Sequence, residues 1–197
     1  MMSNTTVVAI VEGDGEVAAL PVLLRRIGQW QTPETFVQIS PPIRVHRDRF
    51  LNKPEEFNRH LQLASKKCGA GGWILILLDA DDDCPKALGQ RILAQAQGCI
   101  PHRDISVVLA NREFEAWFIA AAQSLHGKRG FSFDPAEAVD AEQPRDAKGW
   151  IKKRMTGGAY GASTDQPAFA ASMDLQQAHA RSRSFRKLCS EWRKQVK

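Results

Sequence analysis

The sequence predicts an α/β fold: a mostly parallel four-stranded sheet with helices on both faces and a helical appendage beyond it. Three observations carry the prediction. Short aliphatic runs alternate with segments whose apolar residues recur at helical spacing, as in a doubly wound sheet. Three of the four runs are apolar on successive residues, which strands covered on both faces require. The last run ends at residue 109, and the chain beyond it reads as helix and loop.

The first strand is residues 6–11, TVVAIV. A helix from Glu16 to Gly28 follows, in which Pro21 is expected to bend or delay the first turns. The second strand is residues 35–40, TFVQIS, and the next helix runs from Pro54 to Lys67 with Phe57, Leu61 and Ala64 on one face. WILILL at 73–78 is the third strand, leading to a helix from Pro85 to Gln97 that carries Leu88, Ile92 and Leu93. After the fourth strand, ISVVL at 105–109, the stretch NREFEAWFIAAAQSL reads as one amphipathic helix. Its stripe of Phe114, Trp117, Phe118, Ala121 and Leu125 is expected to be core. Residues 127–166 turn to Gly, Pro, Asp and Lys, with a short helix around 147–155. From Pro167 the pattern is helical again, with Phe185, Leu188, Cys189 and Trp192 opposite the basic residues. The expected division is an α/β core at 1–126 and a loop plus basic helical appendage, packed on it, at 127–197.

At 197 residues the chain is long enough to bury a core without staples. Its net charge of +5 is uneven: residues 181–197 hold seven Lys or Arg and one Glu, leaving the remainder at −1. Such a tail suggests an anionic partner, nucleic acid being the obvious one. Cys68, Cys84, Cys99 and Cys189 lie far apart without a C-x-x-C pair, so a zinc site is not expected. The start, MMSNTT, is polar, and no apolar run approaches the ~20 residues of a membrane helix. A cytoplasmic protein with reduced thiols is expected.

The chemistry lies in carboxylates. Ligands bind open α/β sheets at the carboxyl ends of the strands, and three of the four strands end in acids. Glu12, Asp14 and Glu16 follow the first; Asp79, Asp81, Asp82 and Asp83 follow the third; Glu113 and Glu115 follow the fourth, in an expected first helical turn. In an extended stretch Asp79 and Asp81 would project to the same side. So many acids at one edge would repel one another unless a hard cation such as Mg²⁺ or Mn²⁺ sat among them. The candidate metal ligands are therefore Glu12, Glu16, Asp79, Asp81, Asp83, Glu113 and Glu115. A competing motif, Gly13-x-Gly15-x-x-Ala18, has the spacing of a dinucleotide cradle. That fingerprint wants an acid after the second strand, where ISPPIR offers none, and no P-loop sequence occurs. The glycines are read instead as bending the chain so that Glu12 stays at the strand tip and Glu16 begins a helix. His46, His60, His102, His126 and His179 are scattered and read as surface or packing residues. Ser163 and Ser182 lack a neighbouring base.

IVEGDGE at the end of the first strand, with LLDADDD at the end of a later one, resembles the TOPRIM domain. Topoisomerases, bacterial primases and the overcoming-lysogenization-defect (OLD) nucleases share that domain. NREFEAWF and SRSFRKL resemble more closely a TOPRIM-related family, domain-of-unknown-function family 4276. The resemblance covers residues 6–125 and, more loosely, the C-terminal segment. It implies a TOPRIM/Rossmann-like sheet, with Glu12 as general acid or base and Asp79 and Asp81 holding Mg²⁺. By likeness to the OLD-type nucleases, Glu16 and either Glu113 or Glu115 would complete a set able to hold two metals. Lys152 or Lys153 would assist the phosphate, Lys148 being a further candidate. Tyr160, the sole tyrosine, sits in a Gly-rich loop, which argues against a topoisomerase. The reading is a Mg²⁺-dependent nuclease or phosphoryl-transfer protein, with a separately encoded ABC-type ATPase partner and a phage-defence role implied by the resemblance. Lys152, Lys153, Arg154, Arg181, Arg183, Arg186 and Lys187 would contact phosphates, on DNA in the first instance. Two alternatives stand beside it: a non-catalytic binding or regulatory subunit of such a system, and a nucleotide-binding protein using the Gly13–Ala18 turn.

Overall fold

The computed structural model describes residues 5–196; the polar residues 1–4 and Lys197 of the basic segment lie outside them. The two most apolar runs form the middle of the sheet, strands β1 (Thr5–Val11) and β4 (Trp73–Asp79), paired in parallel with Val7 opposite Trp73. Strand β5 (Asp104–Ala110) pairs with β4, and the other edge is shared by β2 (Val37–Ile39) and β3 (Ile43–Arg44), both on β1. The order is β2-β1-β4-β5, all parallel, with β3 beside β1 further along. The sheet thus has five strands, not the expected four. Ser40, Pro41 and Pro42 separate β2 from β3; a proline has no N–H for the ladder, so the prolines break what would be one edge strand into two.

Side chains alternate across each strand, and both alternations are apolar. Val8, Ile10, Ile74, Ile76, Leu78, Val107 and Leu109 face one layer of helices, α2 (Arg47–Asn52), α3 (Pro54–Cys68) and α4 (Pro85–Cys99). The α2 helix escapes the sequence pattern because six residues give Phe50 alone as a buried position. Val7, Ala9, Val11, Leu75, Leu77 and Val108 face the other layer. That layer is α1 (Asp14–Gln31) together with α5 (Ala116–Ala120), α6 (Ala122–Leu125), α7 (Ala147–Lys152), α8 (Ala162–Ser172), α9 (Leu175–Arg181) and α10 (Arg183–Gln195).

Two elements differ from the sequence expectation. Pro21 does not delay α1, which starts at Asp14 and runs through it. The single amphipathic helix over 111–125 is instead a turn at 111–115 followed by α5 and α6. Arg112 takes a left-handed φ of 70°, and the Phe114 N–H is donated to Asp79 Oδ1 at 2.8 Å, so helix geometry cannot start earlier. Residues 114–122 are buried on every side, which is a central helix rather than a surface one.

The basic C-terminal segment is also core. Phe185, Leu188, Cys189, Trp192 and Val196 are all buried in the cluster that α1 and the sheet share. Trp192 lies against Gly28, where a Cβ would come within 2.9 Å of the indole, and its Nε1–H donates to Thr32 Oγ1 at 3.0 Å. Among the described residues no helix is long and apolar enough to cross a membrane.

Candidate active site

The chain leaves β1 through α1 on one face and leaves β4 through α4 on the other. Adjacent strands whose connections diverge open a crevice at their carboxyl ends. Glu12 stands at one tip and Asp79 at the other. Glu12 Oε1 accepts the Asp79 N–H at 2.8 Å, so the two acids are tied strand to strand.

Around them is an open cleft of about 550 Å³ lined by Glu12, Glu16, Asp79, Asp81, Glu113 and Lys148, with Arg44, His46 and Arg47 also on its wall. Glu16 is buried and accepts the Gly13 N–H and, at 3.4 Å, an N–H of Gln166. Glu113 Oε2 accepts the Lys148 backbone N–H at 2.9 Å. The Lys148 ammonium lies 3.3 Å from Glu115 Oε2, 3.9 Å from Asp79 Oδ2 and 4.0 Å from Glu113 Oε1.

The glycines of the first turn are there for room. Gly13 has an ordinary extended backbone (φ −100°, ψ 155°), so no bend demands glycine. A Cβ on Gly13 would run into the Glu16 carboxylate, and one on Gly15 into the Gln166 amide and the Ala162 carbonyl. The sequence reading of a sharp bend is corrected to one of close approach.

Proton affinities follow the crowding. Burial raises the Glu12 carboxyl, and Glu16 and Asp81 push it further, against the Asp79 N–H and Arg47. Burial raises Glu16, helped by Glu115, and raises Glu113 against the pull of Lys148. Asp79, 8% exposed, is raised most clearly, by burial first and then by Glu12. Burial alone would lower Lys148, but Glu115, Asp79 and Glu113 together outweigh it and hold the ammonium charged. Negative charge here exceeds what Lys148 and Arg47 neutralise.

Other sequence candidates lie elsewhere. Asp81 does not continue an extended strand beside Asp79: β4 ends at Asp79, and Asp81 sits in a turn at φ 50°. It still lines the cleft, 3.6 Å from Arg47. Asp83 is exposed and bonded to Arg47 at 2.9 Å, sharing that guanidinium with Asp81, and does not line the cleft. Glu115 is wholly buried behind the cleft, accepting from Tyr160 Oη at 3.1 Å and Gln166 Nε2 at 2.7 Å. Burial and Glu115 hold the Tyr160 phenol firmly protonated. Lys152 and Lys153 are exposed and do not line the cleft; Lys148 is the lysine that does. Arg154 stacks 3.5 Å over Trp150 and pairs with Glu137. Arg181 bonds Gln123, Arg186 the carbonyls of His179 and Ala180, and Lys187 the Glu191 carboxylate. Arg183 is exposed at the start of α10, beside a different cavity. Arg44 and Arg47 were missed and His46 was read as surface or packing, although RVHRDR at 44–49 lies at the carboxyl end of β3, where the carboxyl-end rule points.

Hard carboxylate oxygens at a strand-tip crevice are donors suited to Mg²⁺ or Mn²⁺, which take one or two carboxylates and keep waters. Among the described residues no three His, Cys, Asp or Glu side chains are posed as a ready ligand group. The acids are instead turned onto backbone N–H groups, Lys148 and Arg47. Asp79 and Asp81, with Glu12 adjacent, are the cleft residues whose oxygens could hold a hard cation. The model of a family described as Domain of unknown function (DUF4276) matches residues 11–192, from the last residue of β1 through the crevice residues and into α10. No curated protein and no solved structure matches the chain.

Proposed function

The chain belongs to the family Domain of unknown function (DUF4276), and from that premise and its crevice we propose a Mg²⁺- or Mn²⁺-dependent phosphodiester hydrolase acting on nucleic acid, built on a TOPRIM-like sheet. The observation that carries the reading is the crowding of Glu12, Glu16, Asp79, Asp81 and Glu113 into one open cleft, with proton affinity raised at Glu12, Glu16, Asp79 and Glu113. Asp79 and Asp81 would hold the cation, which when bound would activate water and stabilise the leaving oxygen. Glu12, raised toward neutrality by burial, suits a general acid or base. Its bond to the Asp79 N–H keeps it in place. Lys148, held charged by its carboxylates, offers a fixed positive group at the same wall. A separately encoded ABC-type ATPase partner and a role in phage defence belong to the same reading, through the resemblance to OLD-type nucleases.

The test is nicking of supercoiled and linear DNA with Mg²⁺ or Mn²⁺. Glu12→Gln and Asp79→Asn are each expected to lower the rate at least ~100-fold, the scale of general acid–base catalysis. Both variants cutting like the parent would falsify the assignment. One observation favours a second reading, a non-catalytic binding subunit: Lys148 already supplies an internal counter-charge to three carboxylates. Calorimetry with Mn²⁺ separates the two, since the binding subunit takes up no metal at millimolar concentration.

A further inference from the structure

The basic residues of α9 and α10 are poorly placed to lead a polyanion to the crevice. None lines it: Arg181, Arg186, Lys187 and Lys194 bond within the protein, and Arg183 and Arg193, though exposed, also lie outside the crevice lining. A different stretch has charge to offer. Residues 43–68, carrying β3, α2 and α3, hold seven Lys or Arg against three acids, with His46 and His60 in addition.

These residues line a continuous path. The crevice shares Arg44, Val45 and His46 with a smaller pocket of about 170 Å³ that adds Arg49, Arg59 and His60. That pocket in turn shares Arg59 and His60 with a shallow depression along α3, which adds Leu63 and Lys66. Arg49 and Lys66 are exposed and pair with no carboxylate among the described residues. Arg44 pairs with Asp14 at 3.2 Å and Arg59 with Glu56 at 2.7 Å. Both guanidiniums are mostly solvent-exposed, and such pairs yield readily to a competing anion. Leu63, 44% exposed, is a large apolar side chain left open beside the charges, suited to a sugar or base face.

We infer that a nucleic-acid strand enters the crevice along this track, its phosphates on Arg44, Arg49, Arg59 and Lys66, and not along the C-terminal helices. The inference rests on the nucleic-acid reading above and fixes the substrate as an extended polyanion rather than a mononucleotide. Four phosphate contacts on a single strand correspond to a salt slope, d log K/d log[salt], of about −2.8, and loss of two to a change of about 1.4.

The experiment is fluorescence anisotropy of a labelled single-stranded DNA oligonucleotide with the full chain in EDTA, across a salt series, so that cleavage plays no part. R49A/R59A is expected to bind at least ~10-fold more weakly near 0.1 M salt, with a slope shallower by about 1.4. R183A/K187A is expected to stay within about twofold of the parent. Both pairs are surface residues, and a single cooperative unfolding transition well above the assay temperature establishes that each variant folds. Equal binding by parent and R49A/R59A, or a loss confined to R183A/K187A, overturns the track alone. If the parent binds no oligonucleotide but does bind a labelled mononucleotide, the polyanion reading falls with it.

Discussion

Replacing Lys148 with methionine removes an ammonium while keeping most of the side chain's length. Glu115 beneath it is fully buried, and its Oε2 lies 3.3 Å from Lys148 Nζ, without a hydrogen-bond partner among the described residues. Two unit charges at that distance attract by about 5 kcal/mol at an effective dielectric of ~20 and about 1.3 kcal/mol at ~80. The lysine side chain is 42% exposed, so solvent moves the interaction toward the lower figure, to roughly 2 kcal/mol. Stranding a buried carboxylate is the costly half of the change. In a domain of this size roughly 2 kcal/mol lowers the melting temperature by about 4–8 °C. The assay is thermal unfolding at pH 7, without metal, for the parent, Lys148→Met and Lys148→Met/Glu115→Gln. The double variant no longer buries an unpaired charge and is expected to recover at least half of the loss. A single variant melting within about 1 °C of the parent, or a double variant no better than the single, refutes the charge balance described for the crevice.

Three further substitutions have outcomes set by the structure. Burial would raise Glu191, but Lys187, Lys194 and Ser106 outweigh it and pull its carboxyl down to about 2. The folded state therefore binds fewer protons there than the unfolded chain, so this contribution is complete above the unfolded value of ~4.3 and is lost as pH falls toward about 2. The difference in melting temperature between parent and Glu191→Gln should hold steady from pH 6 to about pH 5 and shrink from there to pH 2.5; a constant difference over the whole range would count against the assignment. Gly15→Ala is expected to destabilise by about 1–3 kcal/mol, because its methyl meets Gln166 and the Ala162 carbonyl. Gly98→Ala, in α4 with open space around it, should stabilise by roughly 0.5 kcal/mol. Melting temperatures moving in the same direction for both would show that local space does not govern these positions.

Strands β1, β4 and β5 were legible because burial on both faces leaves runs apolar on nearly every residue; the comparable run AWFIAAA at 116–122 is the buried helical stretch. Helices α3 and α4 announced themselves through Pro54 and Pro85 in their first turns and through buried residues three and four apart. Glu12 and Asp79 were legible because the strands end where they stand. The rest depends on distant neighbours. The turn at 111–115 exists because Asp79, more than thirty residues earlier, takes the Phe114 N–H. Gly15 is small because of Gln166, which no local pattern reveals. Depth separates Glu113 from Glu115, one lining the cleft and one sealed behind it, and two acids in one short turn carry no sign of depth in their spacing. The bonding of the basic segment is hidden for a related reason: net charge says nothing of which side chains are already bonded within the protein.

The indole of Trp192 reaches across 160 residues of chain to Thr32. During synthesis that span takes about 8–32 s at ~5–20 residues per second. Until α10 has left the ribosome, the side of α1 that carries Gly28 has no cover, and β1 waits for β4 as well. A nascent chain in that condition shows an apolar helix face and an unpaired strand edge together. Such surface is aggregation-prone while it stays open, and slower decoding of residues 33–190 would lengthen that exposure without altering the finished protein.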